Sequence, residues 1–211
     1  MNTERQSTEK EEPRINGIRI LETKNDAEYF VSFLNHPANL RHFSNPPQTA
    51  DEALRRAKTS GKRSFVANGF FEGQLVPVGG FTLMDAPLTR HDHFLEQVVV
   101  NPDLKGRGIG TRMIEEGIKF AATTLADDGR VRIKLCAGII AEIEEWERMT
   151  AAVAKVGFEF VARFQNQVDV PVLDGYGNFV FDDCGKQVIE IKPVERWELD
   201  LIRWRENHSD V

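Results

Sequence analysis

Hydrophobic residues change their spacing several times along this chain of 211 residues, and the first changes predict a strand followed by two helices. Ile15–Leu21 is predicted to be the strand. Apolar residues at helical spacing then predict a helix that is capped at Asn25 or Asp26. Thr49 and Glu52 have the spacing of a capping box, which predicts a second and shorter helix.

Strand-like segments dominate the middle of the chain. Ser64–Phe71 and Leu75–Met84 flank a turn at residues 72–74, which is typical of an antiparallel hairpin. Phe94–Val100 has the strongest strand pattern of the chain. A long amphipathic helix is predicted from Gly108 to Ala126, because its apolar residues fall along one stripe.

The last third of the chain continues the alternation of strands and helices. A helix is predicted over Ile143–Val156. The predicted strands are Val131–Cys136, Phe158–Val170, Asn178–Phe181 and Val188–Val194. Since no repeat or linker divides the chain, we predict one α/β domain over residues 15–211 with extra C-terminal strands, after a disordered polar tail over residues 1–14.

Charge and composition narrow the range of partners and locations. Lys and Arg total 27 against 33 Asp and Glu, so the formal net charge is −6. This balance disfavours nucleic acid, which attracts basic patches, and suits a cationic or neutral substrate better. No apolar run approaches the roughly 20 residues that span a bilayer, so no membrane partner is predicted. Cys136 and Cys184 lack the spacing of a metal site, and with no signal peptide at the start they are typical of a cytoplasmic protein.

A glycine-rich loop between a strand and a helix carries the strongest chemical signal. Val98–Val100 ends the strand, and glycines follow at positions 106, 108 and 110. Backbone N–H groups at a helix start carry about half a positive charge together, and glycine lets an anion approach the backbone. Lys105, Arg107 and Arg112 add positive charge at the end of the helix that usually favours acids, so we predict a bound anion.

Two common phosphate loops do not fit this segment. A Walker A loop needs Lys directly after its last glycine, whereas Thr111 and Arg112 follow Gly110. The dinucleotide fingerprint G-x-G-x-x-G fails because Thr111 or Met113 stands at its last position. A tight strand–helix turn that binds nothing stays open as an alternative.

Lys105–Gly110 resembles the acyl-CoA loop [QR]-x-x-G-x-[GA] of the GNAT superfamily of N-acyltransferases, with Lys in place of Gln or Arg. The order of elements up to about Phe160 is similar to that of the family, as is Lys155–Phe158 after the last helix. Asn35–Pro47 resembles the branch of ribosomal-protein and small-amine acetyltransferases. The resemblance implies a GNAT-like α/β fold, in which helices flank a central, mixed but mostly antiparallel twisted sheet with a splayed parallel strand pair.

The same resemblance implies acetyl-CoA as co-substrate. No metal is predicted, because no third ligand accompanies His91 and His93. The loop amides would hold the pyrophosphate, and the preceding strand would hold the pantetheine arm opposite Val131–Cys136 as its parallel neighbour. The implied cofactor-binding residues are Val98, Val100, Lys105, Gly106, Arg107, Gly108, Ile109, Gly110 and Thr111. The implied reaction is direct acetyl transfer to a primary amine of a small molecule or a protein N-terminus. A sensor that binds acyl-CoA without turnover and a protein that binds nucleotide phosphates are the alternatives.

Glu96 is the candidate catalytic base, because related enzymes use a Glu in this strand to remove a proton through water. Burial among apolar neighbours would make its carboxylate a better proton acceptor, whereas a place on the solvent face of the strand would leave it without a role. His91 and His93 are alternatives, because histidine is a common acid–base group near neutral pH, although a His-Asp-His loop is more often solvated.

Two positions depart from the family pattern. Val153 stands where many relatives have a Tyr that protonates the departing thiolate, and Trp146 stands where an Asn contacts the cofactor. Neither role is carried over to this chain.

Three further features have both a structural and a functional interpretation. Cys136 is predicted to be a small buried thiol rather than an acyl carrier. The acidic run at residues 142, 144, 145 and 147 is predicted to be a solvated helix start, with a route for a cationic amine as the alternative. Trp197 and Trp204 pack either on the domain or on a second copy of the chain, which would form a homodimer.

Overall fold

The computed structural model describes residues 14–40, 42–43, 46–59, 61–85, 93–126, 128–143, 145–176 and 178–208. The strands are β1 Arg14–Ile20, β2 Lys62–Phe71, β3 Gln74–Asp85, β4 His93–Val100, β5 Lys134–Ile140, β6 Glu159–Pro171 and β7 Ile189–Asp200. The helices are α1 Lys24–Leu34, α2 Pro37–Leu40, α3 Ala50–Ala57, α4 Ile109–Thr123, α5 Trp146–Lys155 and α6 Leu201–Asn207, with a 3₁₀ turn at Pro102–Leu104. The predicted tail lies outside the described residues, except that Arg14 begins β1.

The seven strands form one sheet in the order β1-β2-β3-β4-β5-β7-β6. Neighbouring strands are antiparallel except for β4 and β5, which are parallel. The C-terminal strand β7 lies between β5 and β6, so it completes the sheet instead of extending it at an edge. The predicted fold class, a mostly antiparallel mixed sheet with one parallel pair, is confirmed.

Helices cover the sheet on two sides. α1 and α3 bury Phe30, Val66 and Val99 in one apolar cluster, whereas α4 buries Phe81 and Met113 in another. These clusters follow from the amphipathic pattern of the helices and the alternation of the strands. The sheet is therefore the rigid layer on which the ends of β4 and β5 are held.

The parallel pair β4–β5 separates after a short ladder. Its register contains only three pairs, which end at Leu95 with Ala137. On the other side of β4, the register with β3 shifts between Gly80 and Thr82. Two steps along β3 match three steps along β4, so β4 contains a bulge. Gln97 in this bulge has a φ of 51°, an uncommon value for a residue with a side chain. The bulge turns β4 away from β5 and opens the sheet between them.

Several predicted boundaries are wrong for local reasons. α1 is capped by Thr23, whose hydroxyl accepts a hydrogen bond from the Asp26 N–H at 3.1 Å, and not by Asn25 or Asp26. β5 begins at Lys134 and runs to Ile140, whereas Val131–Cys136 was expected, because Val131 is exposed and forms only an isolated bridge. The parallel neighbour of β4 is therefore Lys134–Ile140.

The helix boundaries also differ from the predictions. α4 ends at Thr123 instead of Ala126, because Thr124 is extended. α5 begins at Trp146 instead of Ile143, so most of the acidic run precedes the helix. The short helices α2 and α6 were not predicted, since four and seven residues carry too little periodicity to detect.

The connection between β6 and β7 contains a two-fold sequence similarity that sequence analysis missed. The segments P-V-L-D-G-Y-G-N (171–178) and F-V-F-D-D-C-G-K (179–186) match in type at most positions. Val172, Val180 and Val188 donate to one another in a closed ring, with N–H to O distances of 2.8 to 3.0 Å. Asn178–Phe181 was predicted as a strand. It contains Val180 of this hydrogen-bonded ring and forms only isolated bridges.

A buried charged network joins the outer ends of β3, β4 and β5. Arg132 is fully buried, and its guanidinium donates to both carboxylate oxygens of Asp85 at 2.7 and 2.8 Å. It also donates to the Thr124 carbonyl at 2.9 Å. His93 lies 2.8 Å from the same carboxylate, and Arg205 of α6 donates to the Arg132 carbonyl. Burial and then the nearby charge of Arg132 lower the pKa of Arg205.

The predicted capping box at the start of α3 is present in a variant form, because Glu52 reaches back to the N–H of Gln48 instead of that of the N-cap residue Thr49. The Thr49 hydroxyl accepts from the Glu52 N–H at 3.2 Å, and the Glu52 carboxylate accepts from the Gln48 N–H at 2.8 Å. That backbone hydrogen bond, followed by one from Arg56, holds the pKa of Glu52 below its ordinary value. A carboxyl with a lowered folded pKa stabilises the fold above its unfolded pKa, and this contribution is lost as the pH falls through the folded pKa.

Glu52→Gln is therefore expected to destabilise the protein at pH 7 by about 0.5 kcal/mol, because it removes the carboxylate charge at the helix start. The difference from the wild type should shrink as the pH is lowered to about 3. Urea unfolding of both proteins at several pH values measures this, with Glu28→Gln on the exposed side of α1 as the control. A difference independent of pH would contradict the assignment.

Among the residues that the structure describes, we find no helix whose length and apolar character would let it cross a membrane.

Candidate active site

A cleft of ≈ 480 Å³ opens where β4 and β5 separate. Its walls come from β4, the glycine loop, the first turn of α4, β5, α5 and the segment at residues 39–43. Eight of the nine predicted cofactor-binding residues line it: Val98, Val100, Lys105, Gly106, Gly108, Ile109, Gly110 and Thr111. The tertiary structure thus places the strand and the loop on one continuous surface.

The glycine loop ends in an uncapped helix start. Gly106 and Gly108 have φ values of 79° and 75°, which side chains rarely adopt. Gly108 is the N-cap of α4 and has no side chain to accept from the first amides. The first intrahelical hydrogen bond runs from the Arg112 N–H to the Gly108 carbonyl at 3.2 Å, so the preceding amides have no intrahelical partner. With no acidic residue in the first turn, this end of α4 is suited to an anion.

Gly110 has a different role from the other two glycines. A Cβ built on it would lie 3.4 Å from a methyl group of Val100, at the limit of ordinary van der Waals contact. The helix start therefore lies directly beside the end of β4.

One backbone group expected to face the pantetheine arm already has a partner. The Val100 carbonyl accepts from the side-chain amide of Asn39 at 2.9 Å, and the same amide donates to the Phe33 carbonyl at 2.8 Å. Asn39 is buried and ties the segment after α1 to the end of β4. One of the two lone pairs of the Val100 carbonyl is thus already used inside the protein.

Arg107 does not line the cleft. Its guanidinium carbon lies 4.9 Å from the ring centroid of Phe71, a cation–π contact on the far side of the loop. Lys105 instead reaches across the mouth of the cleft and donates to the Ala38 carbonyl at 2.6 Å. Of these two basic residues, only Lys105 can contact a ligand bound in the cleft.

Glu96 lies beside the cleft and not in its wall. It pairs in register with Thr82 of β3, and its Oε2 lies 3.6 Å from the Lys62 ammonium. About a third of its side chain is exposed (34%), so the expected apolar surroundings are not observed. Gln97, its neighbour in the bulge, does line the cleft, and its carboxamide oxygen accepts from the Thr82 hydroxyl at 3.1 Å.

The other candidates for proton transfer lie away from the cleft. His93 is buried against Asp85 at the outer end of β4, and His91 lies outside the described residues. Cys136 is a buried free thiol 3.4 Å from the Arg196 guanidinium, in agreement with the expectation of a buried thiol. Val153 lines the cleft with an apolar side chain, whereas Trp146 does not line it.

The two tryptophans pack within the domain. Trp197 contacts Phe160 edge-to-face with ring centroids 5.7 Å apart, and Trp204 stacks on His208 at 4.3 Å. Both pack against the main apolar cluster, so intramolecular packing explains them.

Sequence analysis missed several residues of the cleft wall. His42 and Phe43 come from the segment after α2, and Arg148 and Met149 come from α5. No local motif marks these positions, because they reach the cleft through the packing of distant elements.

Comparison of the sequence with known protein families identifies the family of this chain. A model of the acetyltransferase (GNAT) family matches residues 28–134, which is half of the chain and contains most of α1, the elements from α2 to β4, the glycine loop and α4. The chain belongs to the GNAT acetyltransferase family. Membership in the GNAT family assigns acetyl transfer to an amine as the reaction and confirms the resemblance noted from the loop and the order of elements.

Solved structures share the GNAT fold with this chain at low sequence identity. One is a spermidine N-acetyltransferase from Vibrio cholerae in complex with CoA and spermine, with 14% identity, a TM-score of 0.67 and coverage of 89% of this chain and 96% of that chain. A dodecameric structure of spermidine N-acetyltransferase from the same organism has 14% identity, a TM-score of 0.63 and coverage of 91% and 97%. No curated protein matches the sequence.

A third structure is a spermidine/spermine N-acetyltransferase from Vibrio cholerae in complex with manganese ions, with 14% identity, a TM-score of 0.61 and coverage of 91% and 96%. In the part of this GNAT chain that the structure describes, no group of three or more His, Cys, Asp or Glu residues is placed to hold a metal ion.

Proposed function

We propose that this GNAT protein uses acetyl-CoA to acetylate a primary amine of a small cationic molecule, with the phosphates of the co-substrate at the start of α4. The observation that carries the proposal is the uncapped helix start at Gly108, which faces the cleft between the separated strands β4 and β5. The net charge of −6 and the fold shared with spermidine N-acetyltransferases support a cationic acceptor.

The shape and chemistry of the cleft suit acetyl-CoA. A Cβ built on Gly106 or Gly108 would meet nothing within 4 Å, so space for a ligand adjoins the loop amides. The cleft continues from these amides along Val98 to the apolar side chain of Val153. Bound there, acetyl-CoA supplies the activated acetyl group.

Positioning by the chain accounts for most of the proposed catalysis. The loop amides bind the phosphates, and the end of β4 holds the thioester in line with an incoming amine. Glu96 takes the proton of the substrate ammonium through water, so that the amine nitrogen can form the new C–N bond as the C–S bond breaks. On becoming an amide, the amine nitrogen loses a second proton, and because Val153 has no proton to donate, this proton reaches the departing thiolate through solvent.

Glu96→Gln tests the base. We expect kcat to fall about 100-fold, because proton removal by a positioned group typically contributes this much, while the dissociation constant for CoA stays unchanged. Thiol release with spermidine measures kcat, calorimetry measures CoA binding, and Glu28→Gln serves as the remote control. An unchanged kcat would remove Glu96 from the mechanism.

The second candidate function is a sensor that binds acyl-CoA without turnover. Val153 and Trp146, in place of the family's Tyr and Asn, favour it. Thiol release by the wild type across spermidine, simple alkylamines and a peptide with a free N-terminus separates the two functions. Steady release with any of these amines excludes the sensor, and CoA binding without release from all of them favours it.

We also propose that the protein is cytoplasmic and forms a homodimer. Both cysteines are free thiols, which supports a cytoplasmic setting. Exposed apolar side chains on β6 and β7, among them Phe164 and Ile191, support a homodimer, which light scattering at micromolar concentration would detect.

A further inference from the structure

Three positively charged or protonatable side chains converge on one carboxylate at the mouth of the cleft. Glu145 precedes the first turn of α5, and its Oε1 lies 3.3 Å from the Lys105 ammonium. Its Oε2 lies 3.4 Å from the His42 Nε2, and the Arg148 guanidinium is 3.7 Å from Oε1. All four residues line the cleft.

Three different parts of the chain contribute to this cluster. His42 follows α2, Lys105 opens the glycine loop, and Glu145 and Arg148 belong to the start of α5. Lys105 is held on two sides, since its ammonium also donates to the Ala38 carbonyl at 2.6 Å. The side chains of His42, Lys105 and Glu145 are 11%, 23% and 27% exposed, so solvent screens their charges less than it screens a surface ion pair.

A carboxylate held in this way has the chemistry of a phosphate oxygen. It is a negatively charged acceptor that faces several N–H donors, and it lies beside a helix start that also favours an anion. Only Arg148 is mostly exposed, at 70%, which places it at the outer rim. The cluster is therefore a preformed anion site whose internal occupant is a side chain of the protein.

We infer that the side chains of Lys105, His42 and Arg148 bind the phosphates of CoA. In the free protein, the Glu145 carboxylate occupies the position of these phosphates. This inference rests on the proposed function, because it assumes that CoA binds in the cleft. The phosphates displace Glu145 from these donors, and the carboxylate that remains nearby repels them. Glu145 thus weakens the affinity for CoA.

Glu145→Gln tests this role, since it removes the charge and keeps the shape. We expect CoA to bind about three- to ten-fold more tightly at about 50 mM salt, because one nearby repulsive charge is lost. The gain should shrink at about 500 mM salt, where charges are screened. Titration calorimetry with CoA measures both, and pantetheine, which has no phosphate, should bind both proteins equally.

The matched control is Glu147→Gln, two residues along the chain on the exposed side of the first turn of α5. Glu147→Gln removes the same charge from the same helix end, but Glu147 does not line the cleft. The affinity of this variant for CoA should therefore stay within about two-fold of the wild type. A gain in both variants would show a general charge effect and overturn the inference. Equal or weaker binding of CoA by Glu145→Gln would overturn it as well.

Lys105→Gln keeps the inference falsifiable if Glu145→Gln folds poorly. We expect this variant to bind CoA about ten-fold more weakly than the wild type, whereas unchanged binding would overturn the role of Lys105. A wild type that fails to bind CoA would overturn the proposed function itself, which separates the two failures. Binding by the wild type with no effect of either variant would remove only the anion site.

Discussion

Gly108→Trp is expected to abolish binding of CoA, with a dissociation constant raised more than about 1000-fold. The position has a φ of 75°, which a tryptophan adopts only with strain. A Cβ there would point into open space, so the indole would occupy the cleft in front of the helix start. Both effects remove the site at which the first amides of α4 face an anion.

Gly129→Trp provides the matched control for this experiment. Gly129 has a φ of 80°, and a Cβ on it would also meet nothing within 4 Å. It lies beyond the opposite end of α4, which is a helix about 22 Å long. The backbone strain is therefore similar, but the cleft is untouched, and calorimetry should show CoA binding close to that of the wild type. Affinity for CoA within about ten-fold of the wild type in Gly108→Trp would contradict the assignment of the loop.

Arg132→Met is expected to lower the free energy of unfolding by about 3–5 kcal/mol, the usual cost when one partner of a buried ion pair is removed. The Asp85 carboxylate would lose both guanidinium hydrogen bonds, and the Thr124 carbonyl would lose its donor. These groups join the outer ends of β3, β4 and β5, so their loss also weakens the frame that holds the cleft.

Arg130→Met is the control for the buried network. Arg130 pairs with Asp128 at the surface, where its side chain is 49% exposed, and surface ion pairs contribute about 0–1 kcal/mol. Urea unfolding of both variants compares a buried and an exposed guanidinium two positions apart. A loss of less than about 1 kcal/mol in Arg132→Met would show that the network contributes little to stability.

Local patterns predicted a large part of the fold. β2, β3 and β4 lie close to their expected ranges, because alternating apolar residues and a tight turn report strand pairing within a few residues. The stripe of α4 and the capping box of α3 are also short-range signals, and both are present. The start of β5 was displaced because the apolar residues Val131 and Ile133 lie on the surface, which spacing does not reveal.

The site was predicted to the extent that it is continuous in sequence. The alternate glycines, the preceding valines and the following helix formed one readable segment, and most of it lines the cleft. Glu96 was chosen from its place in an apolar strand, yet the partner that sets its environment, Lys62, belongs to β2. Its catalytic role stays a prediction.

Periodicity and glycine spacing were enough to identify an α/β chain and to predict an anion site at a helix start, because these properties depend on neighbours within one or two turns of the backbone. The bulge at Gln97, the insertion of β7 beside β5 and the meeting of His42, Lys105 and Glu145 come only from packing. Residues far apart in the chain meet there through the burial of apolar surface and the pairing of strands, which act across the whole fold.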